Sequence, residues 1–189
     1  MTDVPDDALL VLYANGDQEA AGMLTQRLTP VIYAHAFRVL GNVADAEDVT
    51  QDAMMRLWRI APDWRQGEAK VTTWLYRVVA NLCTDRLRRG YATSLDIVPD
   101  PQDGTASVAQ QLQTNARLDA LQSALAQLPD RQRQAVVLRH IEGLTNPEIA
   151  EILNISVEAT ESLTARGKRA LTDLLKTQKD ALGYTDDRA

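Results

Sequence analysis

Apolar residues recur at steps of three and four along most of this chain, and no stretch alternates long enough to read as a strand. The pattern predicts helices throughout. A short helix over 7–14 stops at Asn15-Gly16. A long one over 18–40 has Asp17 as N-cap and Gly41 as its stop, and Pro30 inside it should kink or split it. Asn42 caps a third helix over 43–60. It has Ala46, Val49, Ala53, Leu57 and Ile60 on one face and Asp45, Asp48, Asp52, Met55 and Arg59 on another. After a loop over 61–71, Thr72 or Thr73 caps a fourth helix that runs to Arg89 and stops at Gly90. Its apolar side is Leu75, Val78, Val79 and Leu82. Trp74, Arg77, Asn81, Asp85 and Arg88, spaced 3, 4, 4 and 3, form one polar stripe.

The pattern breaks over 91–110, where two prolines, a glycine and three aspartates stand without a basic residue. This is a linker by composition. Beyond it come a helix over 112–127, a Leu128-Pro129-Asp130 turn, and a helix ending at Gly143. The expected fold is all-α: two small helical domains joined by a flexible acidic linker.

Composition adds limits. The chain has 189 residues, 45% hydrophobic and 24% charged, which is ordinary for a globular protein. Its longest apolar stretches, 31–37 and 71–80, fall far short of the roughly 18 residues of a membrane span, so no membrane insertion is expected. The acidic N-terminus is unlike a signal peptide. One cysteine, Cys83, excludes an intramolecular disulfide, and a cytoplasmic location is expected. Cys83 reads as a buried, inert thiol, and His35 and His140 as packed or surface histidines rather than metal ligands. No metal site and no cofactor are expected. Charge is unevenly spread: net −6 over 1–64, +4 over 65–91, −3 over 92–116 and −1 over 117–189. A net acidic chain with one basic helix is unlike an autonomous DNA binder. It fits an acidic, partner-binding half beside a local nucleic-acid contact.

The run LTNPEIAEILNISVEATESLTARGKRAL over 144–171 carries the clearest chemistry. Thr145 and Glu148 have capping-box spacing, and Pro147 suits a first turn. Ile149, Ala150, Ile152 and Leu153 give an inward face, with Ala150 small for a close helix approach. Asn154 suits a left-handed turn, Ile155 and Val157 plug it, and Ser156 caps a second helix over 157–176. This is a helix-turn-helix, whose second helix enters a DNA major groove. Arg166, Lys168, Arg169 and Lys176 suit phosphate contacts.

With both halves read, the chain resembles bacterial RNA polymerase sigma factors of the extracytoplasmic-function type. The resemblance rests on DAEDVTQDAMMRLWR (45–59), TTWLYRVVANLCTDRLRR (72–89) and LPDRQRQAVVLRHIEGLTNPEIAEILNIS (128–156). It implies region 2 over 5–90, a linker over 91–111, region 4 over 112–177 and a tail over 178–189. It implies a promoter-specificity subunit that catalyses nothing. Asp45, Asp48, Gln51, Asp52 and Arg56 would dock on the clamp coiled coil of the polymerase core. Trp64, Lys70, Trp74, Arg77, Asn81, Asp85, Arg88 and Arg89 would meet the −10 element as its strands separate, by stacking and phosphate contacts. Core packing is the alternative for both tryptophans. Thr145, Ser156, Glu158, Thr160, Glu161, Arg166, Lys168 and Arg169 would meet the −35 duplex, with region 4 on the polymerase flap. The implied partners are core polymerase, promoter DNA and an anti-sigma factor.

This chain departs from the family at three positions. Val71 stands where an aromatic is usual, and Glu161 and Leu163 stand where basic residues are common. Glu158 and Glu161 can accept from cytosine N4 but repel phosphate. This acidic recognition helix favours a sigma-like decoy that sequesters an anti-sigma factor, while the Arg77–Asn81–Asp85–Arg88 stripe counts against it. A stand-alone helix-turn-helix regulator is disfavoured by the net acidity and the second motif block. An enzyme is disfavoured because there is no glycine-rich phosphate loop and no nucleophile–base pair.

Overall fold

Local side-chain chemistry sets most helix boundaries. The computed structural model describes residues 4–67, 69–93 and 110–176. Helix α1 spans Asp6–Ala14 and turns at Gly16, whose φ of 98° glycine adopts without strain. Helix α2, Gln18–Leu40, begins where the Asp17 carboxylate accepts the Glu19 and Ala20 amides, and ends at left-handed Gly41. It is not split at Pro30. Pro30 and Gln26 are both exposed, so the carbonyl that loses its helical donor faces water. Helix α3, Val43–Ile60, starts with Asn42 accepting the Asp45 amide at 2.9 Å, and a 3-10 turn, Ala61–Asp63, closes it.

Helix α4, Val71–Thr93, differs from expectation at both ends. The Trp74 amide donates to the Lys70 carbonyl, so the helix starts before Thr72 and Thr73, and neither of them caps it. It also runs through Gly90, an exposed position where the lost helix propensity is about 1 kcal/mol and does not end the helix. Residues 94–109, most of the predicted linker, and the tail from 177 lie outside the described residues.

In the second unit, helix α5 spans Gln110–Ala126 and helix α6 spans Asp130–Val136, continuing as a π-helical turn over Val137–Ile141. Gly143, with φ of 75°, ends it. Helix α7, Asn146–Leu153, opens with the Thr145–Glu148 capping box and closes at Asn154 in the left-handed conformation. Helix α8, Val157–Lys176, starts where the Ser156 hydroxyl accepts the Ala159 amide. Val157 is exposed rather than plugging the turn; Ile155 is half-buried.

Two apolar clusters hold these helices. The larger joins Leu9, Leu24, Ile32, Val39, Ala53, Leu57, Leu75 and Val79 to Leu138, Ile149 and Ile152 of the second unit. The smaller lies within the second unit, with Leu125, Leu128, Val136 and Val137 under Leu171 and Leu174. Gly167 lets α8 press on α6: a Cβ there would lie 2.4 Å from a Val136 methyl and 3.1 Å from the Gln132 carbonyl. No helix among the described residues is long and apolar enough to cross a membrane.

Candidate polymerase and promoter surfaces

The proposed polymerase-facing side of α3 is exposed because the buried face takes Ala46, Val49, Ala53 and Leu57. Gln51, Asp52 and Arg56 project from it, with Asp52 and Arg56 3.9 Å apart. Asp45 and Asp48 are fixed from α4. The Arg86 guanidinium donates to Asp45 at 2.5 Å and to Asp48 at 2.9 Å. Sequence reasoning missed Arg86 because it falls near the apolar side of its own helix. Beside this face, Tyr33, Thr50, Gln51, Met54, Met55 and Trp58 line an open groove of about 410 Å³.

The basic helix α4 brings most of its predicted stripe to one side. Trp64 and Trp74 meet edge to face with centroids 6.2 Å apart. Both are half-buried against the main core, so part of each ring is taken up by packing. Asn81 and Arg89 are exposed. Arg88 donates to Asp85 at 2.9 Å, an ion pair inside the stripe. Val71 is buried and presents nothing to a base. Lys70 and Arg77 are both paired with α7: Lys70 Nζ lies 3.1 Å from Glu148 Oε1, and Arg77 Nη2 3.0 Å from Glu151 Oε1. The Thr145 backbone amide, the Thr145 hydroxyl and the Lys70 ammonium pull the Glu148 carboxyl down to about 2. Cys83 is fully buried, and desolvation pushes its thiol up to about 12, as expected for an inert core thiol.

Helix α8 divides the predicted −35 residues. Glu158, Glu161, Arg166, Lys168 and Arg169 are exposed. Glu158 is held below the usual carboxylate range by its own backbone amide and the Ser156 hydroxyl. Thr160 is a correction. It is 0% exposed and its hydroxyl donates to the Ser156 carbonyl, so it packs inward and cannot reach a base. Thr145 and Ser156 are exposed, but their hydroxyls are committed to helix caps. Arg166 Nε is tied to the Ser162 carbonyl, leaving the guanidinium amino groups to face outward.

Between the units lies a polar junction that sequence reasoning did not find. Glu142 seats its carboxylate on the first unit, accepting from Arg38 Nη1 and from the Tyr76 hydroxyl, each at 3.0 Å. The buried His35 ring stands behind it, with Nδ1 3.8 Å from Oε1. Burial alone would raise the Glu142 carboxyl; His35, Tyr76 and Arg38 outweigh it and hold the group low. Burial and the neighbouring Glu142 charge push the Tyr76 phenol well above its usual range. Nearby, the buried Arg133 donates to the Val39 carbonyl of α2 at 2.6 Å and to the Ala126 and Leu128 carbonyls at 2.8 and 3.0 Å. Gln122 Nε2 donates to the Phe37 and Arg38 carbonyls, and Gln134 Nε2 to the Thr84 hydroxyl.

Comparison with known proteins agrees with this arrangement. The family profile Sigma-70 region 2 matches residues 24–93, and Sigma-70, region 4 matches residues 118–171. The ECF RNA polymerase sigma factor SigW of Bacillus subtilis is 32% identical over 179 residues, covering 85% of this chain and 91% of SigW. Among solved structures, CnrH in complex with the cytosolic domain of CnrY superposes with a TM-score of 0.67. It is 28% identical, with 91% of this chain and 97% of that one covered. The sigma factor RpoE of Bartonella quintana, solved with the anti-sigma factor NepR, shares the fold at 22% identity and a TM-score of 0.65, covering 82% of this chain and 96% of that one. With both regions matched in order and a relative aligned over nearly its full length, the chain belongs to the extracytoplasmic-function sigma factors, promoter-specificity subunits that bind RNA polymerase core and direct transcription initiation.

Proposed function

We propose a division of labour among the surfaces just described. The α3 face of Asp45, Asp48, Gln51, Asp52 and Arg56 docks on the clamp coiled coil of core polymerase, with Arg86 as the positioning residue for both aspartates. The Trp64–Trp74 pair, Lys70, Arg77, Asn81, Arg88 and Arg89 receive the −10 strand, and Asp85 sets the Arg88 rotamer. The exposed part of α8, Glu158, Glu161, Arg166, Lys168 and Arg169, meets the −35 duplex, while region 4 contacts the flap. An anti-sigma protein restrains the chain by covering these docking faces, as inhibitor-bound relatives suggest. Its site of action is the cytoplasm.

The observation that carries the reading is the set of exposed polar and basic residues of α4, Asn81, Arg88 and Arg89, on the same small unit as the exposed Asp48, Gln51, Asp52 and Arg56 of α3. Two oppositely charged faces on one body suit a protein that grips polymerase with one and nucleic acid with the other. The separating test is Arg88→Glu in reconstituted holoenzyme. Core affinity should stay unchanged, and permanganate reactivity of −10 thymines should fall sharply. Normal melting would refute the assignment of the stripe.

A further inference from the structure

The helix-turn-helix unit does not stand clear of the surface assigned to the −10 strand. Helix α7 lies along α4, and Leu138, Ile149 and Ile152 are buried in the same cluster as Leu75, Val79 and Cys83. Glu148 and Glu151 of α7 reach Lys70 and Arg77. Phosphate and carboxylate are both oxyanions and compete for the same cationic donors.

We propose that the free chain masks its own −10 surface: Glu148 and Glu151 occupy Lys70 and Arg77 in place of promoter phosphates, and Glu142, seated on Arg38 and Tyr76, holds the helix-turn-helix unit there. This inference rests on the reading of Lys70 and Arg77 as −10 contacts. Exposed ion pairs fasten little, so the Lys70 and Arg77 pairs act as a cover. Fastening falls to the buried contacts. The Glu142 side chain is 10% exposed, and around it lie Arg133 on the Val39 carbonyl and the three apolar side chains of the second unit. The exposed residues of α8 are not covered by this contact. The mask therefore acts on single-strand capture and spares duplex contact.

The test uses the full chain and a labelled single-stranded oligonucleotide of random sequence, with affinity read by anisotropy and dimensions by small-angle X-ray scattering. The triple variant Glu142→Gln/Glu148→Gln/Glu151→Gln should show a larger radius of gyration. Its affinity should rise about tenfold, the gain expected when a state populated near one part in ten becomes dominant. Glu19→Gln/Glu47→Gln/Asp119→Asn removes the same charge elsewhere and should change neither. A triple variant that stays compact and binds no tighter overturns the latch. Expansion without tighter binding instead refutes the −10 role of Lys70 and Arg77, and the mask with it. An equal gain in the control set reduces the effect to net charge and overturns masking.

Discussion

Arg133 is a buried cation whose guanidinium donates to three backbone carbonyls. The last carbonyls of a helix have no intrahelical donor and must find one elsewhere. Here the ends of two helices find it in one guanidinium, since Val39 lies at the end of α2 and Ala126 at the end of α5. Replacing Arg133 with Met keeps much of the stem packing and removes every donor. The Val39 and Leu128 bonds are buried and the Ala126 bond is partly so. Orphaning a buried carbonyl costs about 1–3 kcal/mol, and relief of the buried charge offsets part of that. The expected net loss is about 3–5 kcal/mol, a large share of the roughly 5–15 kcal/mol that holds an ordinary domain. Arg133→Lys keeps the charge but can serve fewer acceptors from its single nitrogen, and should lose about half as much. Urea unfolding followed by circular dichroism and by tryptophan fluorescence measures both. A loss below about 1 kcal/mol for the Met variant, or equal losses for Met and Lys, would refute the claim that the fork geometry matters.

Three further expectations follow from other contacts. Cys83 should resist thiol reagents in the native chain and react only on unfolding. Its thiol is pushed up to about 12 in the fold against 9.0 when free, so the stability it contributes is present below pH 9 and is lost as pH rises toward 12. Rapid native-state modification at pH 8 would show that the burial is wrong. Gly167→Ala should destabilise by about 1 kcal/mol: overpacking against the stiff Val136 costs about 1–3 kcal/mol and alanine's helix propensity returns about 1. A raised melting temperature would mean that α6 and α8 can separate freely. Asp52→Arg should weaken core-polymerase binding through charge reversal on the exposed α3 face while leaving the fold intact. An unchanged titration would move the docking surface elsewhere.

The features readable from sequence were those whose physics is local. Asp17, Asn42, Thr145 with Glu148, Asn154 and Ser156 each act on backbone within four residues, so their positions predict their bonds. The helix boundaries of the helix-turn-helix were legible for that reason. Features built from distant residues stayed hidden. Arg38 and Glu142 are 104 residues apart, and Arg77 and Glu151 are 74 apart; each half reads as an ordinary surface charge. Thr160 misled because a hydroxyl looks like a contact group. Yet Thr160, Thr164 and Gly167 fall at steps of four and three on the inward face of α8, where small side chains allow close packing. That spacing was available as a signal. Gly90 misled in the other direction, since glycine ends a helix when the chain must turn left-handed, and at this exposed position it does not turn.

As a sigma factor, this chain gives RNA polymerase a promoter it would not otherwise use. The most direct measurement is run-off transcription on fragmented genomic DNA with purified core polymerase, with and without the chain, sequencing RNA 5′ ends. New start sites sharing a common −10 and −35 sequence upstream are the predicted result. Binding to core with no new start sites would contradict the account and would identify the chain as a decoy for an anti-sigma protein.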